Sequence, residues 1–260
     1  MIMGWEAVIK TIAVFAVLGY AAWSDLKYRE VDDKAWVILS LIAIPLTTLE
    51  VLSGHLAIHW LLLSMLISFV IGLLVYVLGL FGGADAKALW CLGVALPVYP
   101  SLKPLIVEPL FPVQHPFFPV SVFNNMLVLA ALTSVYVLVR NMTYKLRGGK
   151  LFDGYEEPLR RKVLAILIGY KVKALKLSRG SHVFLMEERV GGSRKLKLGK
   201  LLAAAKEEEL GLHGDYKPDE ELWVTPALPM LVYMFIGLIL ALLLGDLVSL
   251  ITLVIMSLAP

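Results

Sequence analysis

The chain has 260 residues, of which 59% are hydrophobic and 17% are charged, and its mean hydropathy is +0.79. A soluble domain is about half apolar and about a quarter charged, so this composition excludes an ordinary soluble protein and predicts an integral membrane protein. The formal net charge of +3 is too small to indicate a nucleic-acid partner.

Cysteine and histidine are too sparse to predict a metal or redox site. The single cysteine, Cys91, excludes an intramolecular disulfide and a Cys-x-x-Cys zinc site. His55 and His59 have the i,i+4 spacing of a helical ligand pair, but no carboxylate pair accompanies them. We therefore predict no metal and no other cofactor.

Long apolar segments define the architecture. A helix rises about 1.5 Å per residue, so a hydrocarbon core of about 30 Å takes roughly 20 apolar residues to cross. The proline-rich connection 100–119 cannot be regular helix, because proline removes a backbone donor. After Gly245-Asp246 the apolar tail fits either an extension of the last helix or an interfacial segment. The sequence predicts six spans, at 5–23, 34–52, 57–80, 86–98 (short), 120–139 and from 226 to at least 244.

A polar segment interrupts the apolar pattern before the last span. Apolar runs at 160–168, 173–177 and 182–187 predict a helix or strand followed by two strands, and Gly191-Gly192 predicts a hairpin turn. Residues 201–210 predict a short helix. Asn141-Met142-Thr143 matches a glycosylation acceptor, which we interpret as chance.

These elements predict a membrane all-α protein with six transmembrane helices and a small α+β cytoplasmic domain inserted before the last helix. Residues 1–140 would hold the first five membrane helices and residues 141–224 the inserted domain. Residues 225–260 would hold the sixth helix and the apolar tail.

Basic residues predict the orientation in the membrane. The connection after the first span, the turn before the fourth and the exit from the fifth are basic, whereas the other side carries only Lys10 and Lys103. The positive-inside rule then places the N-terminus outside, and Asp25, Asp85 and the polar segment at the cytoplasmic face of the cell membrane. The cations on that predicted side are Lys27, Arg29, Lys34, Lys87, Arg140, Lys145, Arg147 and Lys150.

Two aspartates at matching membrane depth suggest a catalytic pair. Asp25 follows the first span and Asp85 precedes the fourth, so both lie at one predicted face. Two close carboxyl groups do not both ionise easily; one activates water while the other protonates a carbonyl oxygen. Each residue alone has an ordinary alternative, since Asp85 could cap a helix and Asp25 could simply end a span.

Glycines beside Asp85 suit substrate binding. Gly82 and Gly83 carry no Cβ, so a substrate backbone could approach closely there and at Ala84. A helix that starts at Asp85 would also leave free N–H groups near the reaction centre. Lys87 is expected to reach toward lipid headgroups.

A second candidate for substrate binding is Pro226-Ala227-Leu228-Pro229, at the start of the sixth span. Two prolines in four residues disturb a regular helix start and can leave backbone groups unpaired at membrane depth. An extended substrate strand could pair with those groups. The alternative is an ordinary helix start at proline.

These motifs resemble the archaeal preflagellin peptidase and type IV prepilin peptidase family, which belongs to the GxGD membrane aspartyl proteases. The resemblance is carried by Gly82-Gly83-Ala84-Asp85-Ala86-Lys87, by Asp25 with Lys27-Tyr28-Arg29-Glu30-Val31, and by Thr225-Pro226-Ala227-Leu228-Pro229. It implies six membrane helices, Asp25 and Asp85 as the catalytic dyad, and cleavage of class III signal peptides at the cytoplasmic face. Ala84 stands where the name-giving motif has glycine.

The resemblance also implies the substrate. Preflagellins and prepilins carry a short basic leader before an apolar helix, and an acidic cytoplasmic surface would hold that leader. Bacterial members often also methylate the new N-terminus with a region that contains a Cys-x-x-Cys pair; Cys91 alone predicts a peptidase without that activity. The expected partners are preflagellin- or prepilin-like substrates and the lipid bilayer. Candidate acidic runs are Asp32-Asp33, Glu207-Glu208-Glu209 and Asp219-Glu220-Glu221.

Two other functions compete with a peptidase. In a proton-coupled transporter the aspartates would serve as relay groups, but this predicts polar residues deep within several spans and an inverted repeat. The spans carry only mild polar residues, and no repeat is visible. A non-catalytic membrane anchor would leave Gly82-Gly83-Ala84-Asp85 unexplained.

Overall fold

A computed structural model describes residues 5–78, 81–102, 109–111, 115–176, 183–190, 193–196 and 219–258. The chain divides into two compact units, Met1–Ala130 with Pro229–Pro260, and Ala131–Leu228. The described residues form helices α1 (Trp5–Tyr28), α2 (Lys34–Leu52), α3 (Ile58–Val77), α4 (Gly83–Ala95), α5 (Phe118–Leu146), α6 (Leu159–Ile168), α7 (Met230–Leu243) and α8 (Leu247–Leu258), and strands β1 (Tyr170–Lys173), β2 (Val183–Leu185), β3 (Glu187–Val190), β4 (Ser193–Leu196) and β5 (Glu221–Pro226).

The long apolar helices support a membrane protein. Among the described residues, α1, α2, α3 and α5 are long and apolar enough to cross a bilayer, and α7 with α8 makes a fifth candidate if that pair is one span bent by 60°. Helix α4 has 13 residues and is not among these candidates. The predicted span at 34–52 coincides with α2, whereas the last helix begins at Met230 and not at Pro226, because Pro226 still pairs within a strand.

Helix α4 lies at the centre of the first unit. Its Ala88, Leu89, Leu92 and Ala95 side chains are buried against the core. A Cβ at Gly93 would lie 2.7 Å from the Ser68 side chain of α3, so glycine permits the two helices to approach closely. The Ser64 hydroxyl of α3 also donates to the Gly93 carbonyl at 3.1 Å.

The break between α7 and α8 is stabilised by a buried asparagine of α5. The Asn125 amide donates to the Gly245 carbonyl at 2.9 Å, and its oxygen accepts from the Leu247 N–H at 2.8 Å. Asp246 accepts from Asn124 at 2.9 Å and from the Ser249 N–H at 3.0 Å. These bonds satisfy backbone groups that the break exposes, as a membrane interior requires. The apolar tail therefore forms a separate helix, not a straight extension.

The second unit contains the strands and α6. Three strands form an antiparallel sheet in the order β1-β5-β2, and β3 pairs with β4. Pairing of Val190 with Ser193 confirms the predicted hairpin. The prediction of a strand over 173–177 is wrong: the strand covers Tyr170–Lys173, because these residues lie opposite Glu221–Val224, and Ala174–Lys176 forms a 3-10 turn. The predicted helix at 201–210 lies outside the described residues.

A buried carboxylate, Glu187, organises the interior of this unit. It accepts hydrogen bonds from the Tyr155 hydroxyl, from the Trp223 N–H at 2.8 Å and from the Arg194 guanidinium at 2.7 Å. Burial and the neighbouring Glu187 charge raise the pKa of Tyr155, so its hydroxyl stays a donor. A carboxylate with several charge-assisted partners is tolerated in an apolar core.

Candidate active site

Asp25 lies in the last turn of α1, where the chain leaves the helix. The Arg29 N–H donates to the Asp25 carbonyl at 3.1 Å, and Arg29 adopts the left-handed conformation with φ of 58°. The Ser24 hydroxyl donates to the Glu30 carbonyl at 2.6 Å. These bonds fold the segment after α1 back toward Asp25. The Asp25 side chain is half-buried.

Asp85 lies in the first turn of α4 and is 8% exposed. The helix begins at Gly83, two residues earlier than predicted, because Gly82 is its cap. The Gly82 N–H donates to Asp85 Oδ2 at 2.8 Å, so Asp85 also satisfies a free donor at the helix start. A Cβ at Gly82 would lie 3.3 Å from the same oxygen, which explains why glycine suits this position.

Asp25 and Asp85 line the same cavity, which has a volume of about 640 Å³. Gly82, Gly83 and Ala84 line it too, so the structure brings together five of the nine residues predicted to form the site. The segment after α1 and Leu231 of α7 complete its walls. The other lining residues are Tyr20, Ser24, Tyr28, Arg29, Glu30, Val31 and Asp32.

Helical periodicity could have located some of the additional lining residues. Tyr20, Ser24 and Tyr28 recur at intervals of four, so they share one face of α1. Glu30 lies two residues after the end of α1. Leu231 carries no local signal, because it is more than 140 residues from the nearest other lining residue in the chain.

Burial raises the pKa of Asp85 to about 7. Loss of solvent contact is the largest cause, because it penalises the charged carboxylate. The Gly82 N–H opposes this shift, and the negative charge of Asp25 adds to it. Near neutral pH a proton on Asp85 is therefore favoured far more than in an exposed aspartate.

We expect Asp85→Asn to raise thermal stability at pH 8 but hardly at pH 4. The pKa of Asp85 is higher in the folded than in the unfolded chain, so ionisation destabilises the folded state progressively from about pH 4 to pH 7 and fully above that. Three pKa units correspond to at most about 4 kcal/mol. Unfolding midpoints in detergent at both pH values would measure the effect. The control is Asp153→Asn, which removes an exposed carboxyl group. An equal gain in stability for Asp85→Asn at both pH values would contradict the raised pKa of Asp85.

The Pro226–Pro229 segment contains a strand end and a helix start. Pro226 is the last residue of β5 and lies opposite Val183, and Ala227 and Leu228 follow in the second unit. Pro229 precedes α7 in the first unit, and its carbonyl accepts from the Val232 N–H at 3.0 Å. Substrate binding by these four residues stays a prediction.

Lys87 and the candidate acidic runs are largely paired where the structure describes them. Lys87 donates to Asp33 at 2.6 Å, so the expectation that it reaches toward headgroups is replaced by a contact within the protein. Asp32 accepts from the Lys34 N–H at 2.9 Å. In the second unit Asp219 lies 3.9 Å from Lys173, and Glu220 pairs with Arg189. The acidic run at 207–209 lies outside the described residues.

The described residues contain no group of three or more His, Cys, Asp or Glu side chains placed to hold a metal ion. The site consists of two carboxyl groups, one buried and one half-buried, on the wall of one cavity. Such a pair can take a proton from water with one member and donate one with the other.

Comparison with known proteins finds two matching families. Residues 12–137 match the type IV leader peptidase family, and residues 161–247 match the archaeal peptidase A24 C-terminus type II. The first match includes both aspartates of the cavity.

Proteins named preflagellin peptidase are also similar to this chain. The chain is 28% identical to a preflagellin peptidase of Methanococcus voltae over 229 residues, which are 87% of this chain and 91% of that protein. It is 27% identical to a preflagellin peptidase of Methanocaldococcus jannaschii, with 85% and 88% of the two chains covered. A preflagellin peptidase of Methanococcus maripaludis is 24% identical, with 87% and 90% covered.

Proposed function

Because the chain belongs to the type IV leader peptidase family, whose members are aspartic-type peptidases, we propose that it cleaves the short basic leader of preflagellin- or prepilin-like proteins. The observation that carries this proposal is the shared cavity of Asp25 and Asp85. The similar proteins named preflagellin peptidase support the substrate class. They give no support to a proton-coupled transporter.

In the proposed mechanism the two aspartates activate one water molecule. Asp25 accepts a proton as the water oxygen attacks the scissile carbonyl carbon, and Asp85 donates its proton to the carbonyl oxygen. The tetrahedral intermediate collapses when Asp25 passes its proton to the leaving amine and Asp85 recovers its own. The raised pKa of Asp85 favours the proton on this residue before attack.

The walls of the cavity suit a peptide with basic residues. Gly82, Gly83 and Ala84 leave room for a backbone beside Asp85. Glu30 and Asp32 add negative charge to the rim, which complements a basic leader, although Asp32 also pairs with Lys34. We further propose that Pro226, Ala227, Leu228 and Pro229 bind the extended substrate through its backbone.

We propose that cleavage occurs at the cytoplasmic face of the cell membrane, with the N-terminus outside. The distribution of basic residues supports this orientation. The apolar helices of the first unit support residence in the bilayer. A substrate whose apolar helix lies in the same membrane would then present its leader at the level of the two aspartates.

The direct test is incubation of the purified full chain with a preflagellin in detergent. We expect mass spectrometry to identify one new N-terminus at the junction between the basic leader and the apolar helix. A matched substrate with glutamates in place of the basic leader residues should be cleaved more slowly, because it repels the acidic rim. Intact preflagellin after prolonged incubation with folded protein would reject the proposal.

A further inference from the structure

Helix α6 presents apolar side chains to its surroundings. Leu159, Val163 and Leu167 recur at intervals of four, and Leu164 lies beside them on the same face. They are 77%, 50%, 38% and 44% exposed, respectively. Four large exposed apolar side chains on a ten-residue helix are unusual for a surface that meets only water.

The remaining side chains of α6 fix this orientation. Ala165 is fully buried, and Ile166 and Ile168 pack against the interior of the second unit. Arg161 donates to the Leu196 carbonyl at 2.6 Å and pairs with the buried Glu157 at 2.9 Å. The helix therefore cannot simply turn its apolar stripe inward without breaking these contacts.

Helix α6 is also attached to a candidate membrane helix. Asn141 of α5 is 1% exposed, and its amide donates to the Ile166 carbonyl at 2.9 Å and to the Gly169 carbonyl at 2.7 Å. These are free carbonyls at the end of α6, so Asn141 caps that helix. Asn141 lies five residues before the end of α5 at Leu146 and two residues beyond the predicted fifth span, 120–139. The sequence predicts the membrane boundary at this part of α5, and the cap attaches α6 to it.

The charge on α6 is positive. Arg160 is exposed between the apolar residues, and Lys162 lies 5.6 Å from the Phe152 ring at the side of the helix. No acidic residue occurs within Leu159–Ile168. Apolar side chains flanked by cations are typical of helices that lie in a lipid interface and contact anionic headgroups.

We propose that α6 rests on an anionic bilayer surface, with Leu159, Val163, Leu164 and Leu167 among the headgroups and acyl-chain ends and Arg160 against lipid phosphates. The Asn141 cap positions the helix for this contact, and the apolar stripe and cations supply the attraction. The contact ties the second unit to the membrane independently of any bound substrate.

Lipid quenching of a fluorescent label tests this proposal. In the full chain with Cys91→Ser, a bimane label is placed at Leu164→Cys or, separately, at Val163→Cys. The protein is reconstituted in phosphatidylcholine–phosphatidylglycerol vesicles that contain brominated phosphatidylcholine. We expect quenching several times stronger than for a label at Asp219→Cys, two residues before β5, where the native side chain is 92% exposed. Arg160→Glu with Lys162→Glu should reduce the quenching about twofold or more.

Two results would overturn the proposal. The first is quenching at positions 163 and 164 no stronger than at 219. The second is protection of both labels from iodide in water without quenching by brominated lipid, which would show that protein covers this face, either a second copy or a substrate. Leader cleavage by each labelled variant is also assayed in detergent, before reconstitution. A variant that loses the lipid contact but still cleaves the leader is then distinguished from one that has lost the peptidase activity.

Discussion

Cleavage of a preflagellin leader is expected to fall about a thousandfold or more in Asp25→Asn and in Asp85→Asn. Asparagine at position 25 cannot accept the proton of the attacking water, and asparagine at position 85 cannot donate one to the carbonyl oxygen. Both side chains keep their size, and the amide oxygen of an asparagine at position 85 can still accept from the Gly82 N–H. Initial rates of product formation by mass spectrometry, with folded protein quantified by size exclusion, measure the effect.

Two matched variants sharpen this test. Asp33→Asn removes a nearby exposed carboxylate that pairs with Lys87, and it should keep cleavage near the wild-type rate. The double variant Asp25→Asn with Asp85→Asn should be little slower than either single variant, because the two groups act as one unit. Full activity in either single variant would be incompatible with a two-aspartate mechanism.

The second large effect is expected from Lys10→Met, which should destabilise the folded chain by about 3 to 5 kcal/mol. Lys10 is 2% exposed, and its ammonium donates to Glu50 at 2.6 Å and to Thr47 at 3.0 Å. Thr47 in turn donates to the Val94 carbonyl at 3.0 Å, so the network joins α1, α2 and α4. Removal of the ammonium leaves the Glu50 carboxylate with little access to water and without this partner. Unfolding midpoints in detergent would report the loss.

The control for this prediction removes both charges. Lys10→Met with Glu50→Gln leaves no isolated charge, so most of the lost stability should return. Leader cleavage per folded molecule should stay unchanged in both variants, since neither residue lines the cavity of Asp25 and Asp85. Equal destabilisation of the single and double variants would show that the isolated Glu50 charge does not cause the loss of stability.

Local patterns were sufficient for much of the membrane architecture and for the choice of candidate residues. The helix at 34–52 and the hairpin of β3 with β4 were predicted correctly, because apolar length and turn glycines are properties of neighbouring residues. The motifs around Asp25 and Asp85 were visible for the same reason. The last helix was predicted to start too early, because the pairing of Pro226 with Val183 depends on a distant strand.

The role of each buried charge was decided by tertiary packing. The charge pattern of the sequence assigns Lys10 to the outer side, but in the structure it lies in the interior beside Glu50, 40 residues away. Asn125 and Asn141 showed no sequence signal for the bonds they make to the α7–α8 break and to the end of α6. Such bonds depend on which helices lie side by side.

The amino-acid sequence is sufficient to predict a membrane protein, its apolar segments and the two aspartates at the edges of those segments. Only the tertiary structure placed Asp25 and Asp85 on one cavity, closed it with Leu231 and buried Asp85 enough to raise its pKa. The two kinds of information differ in how far apart in the chain the interacting residues lie. Hydrophobic length and turn chemistry act between neighbours in the chain, whereas burial, desolvation and hydrogen bonding depend on residues that only folding brings together.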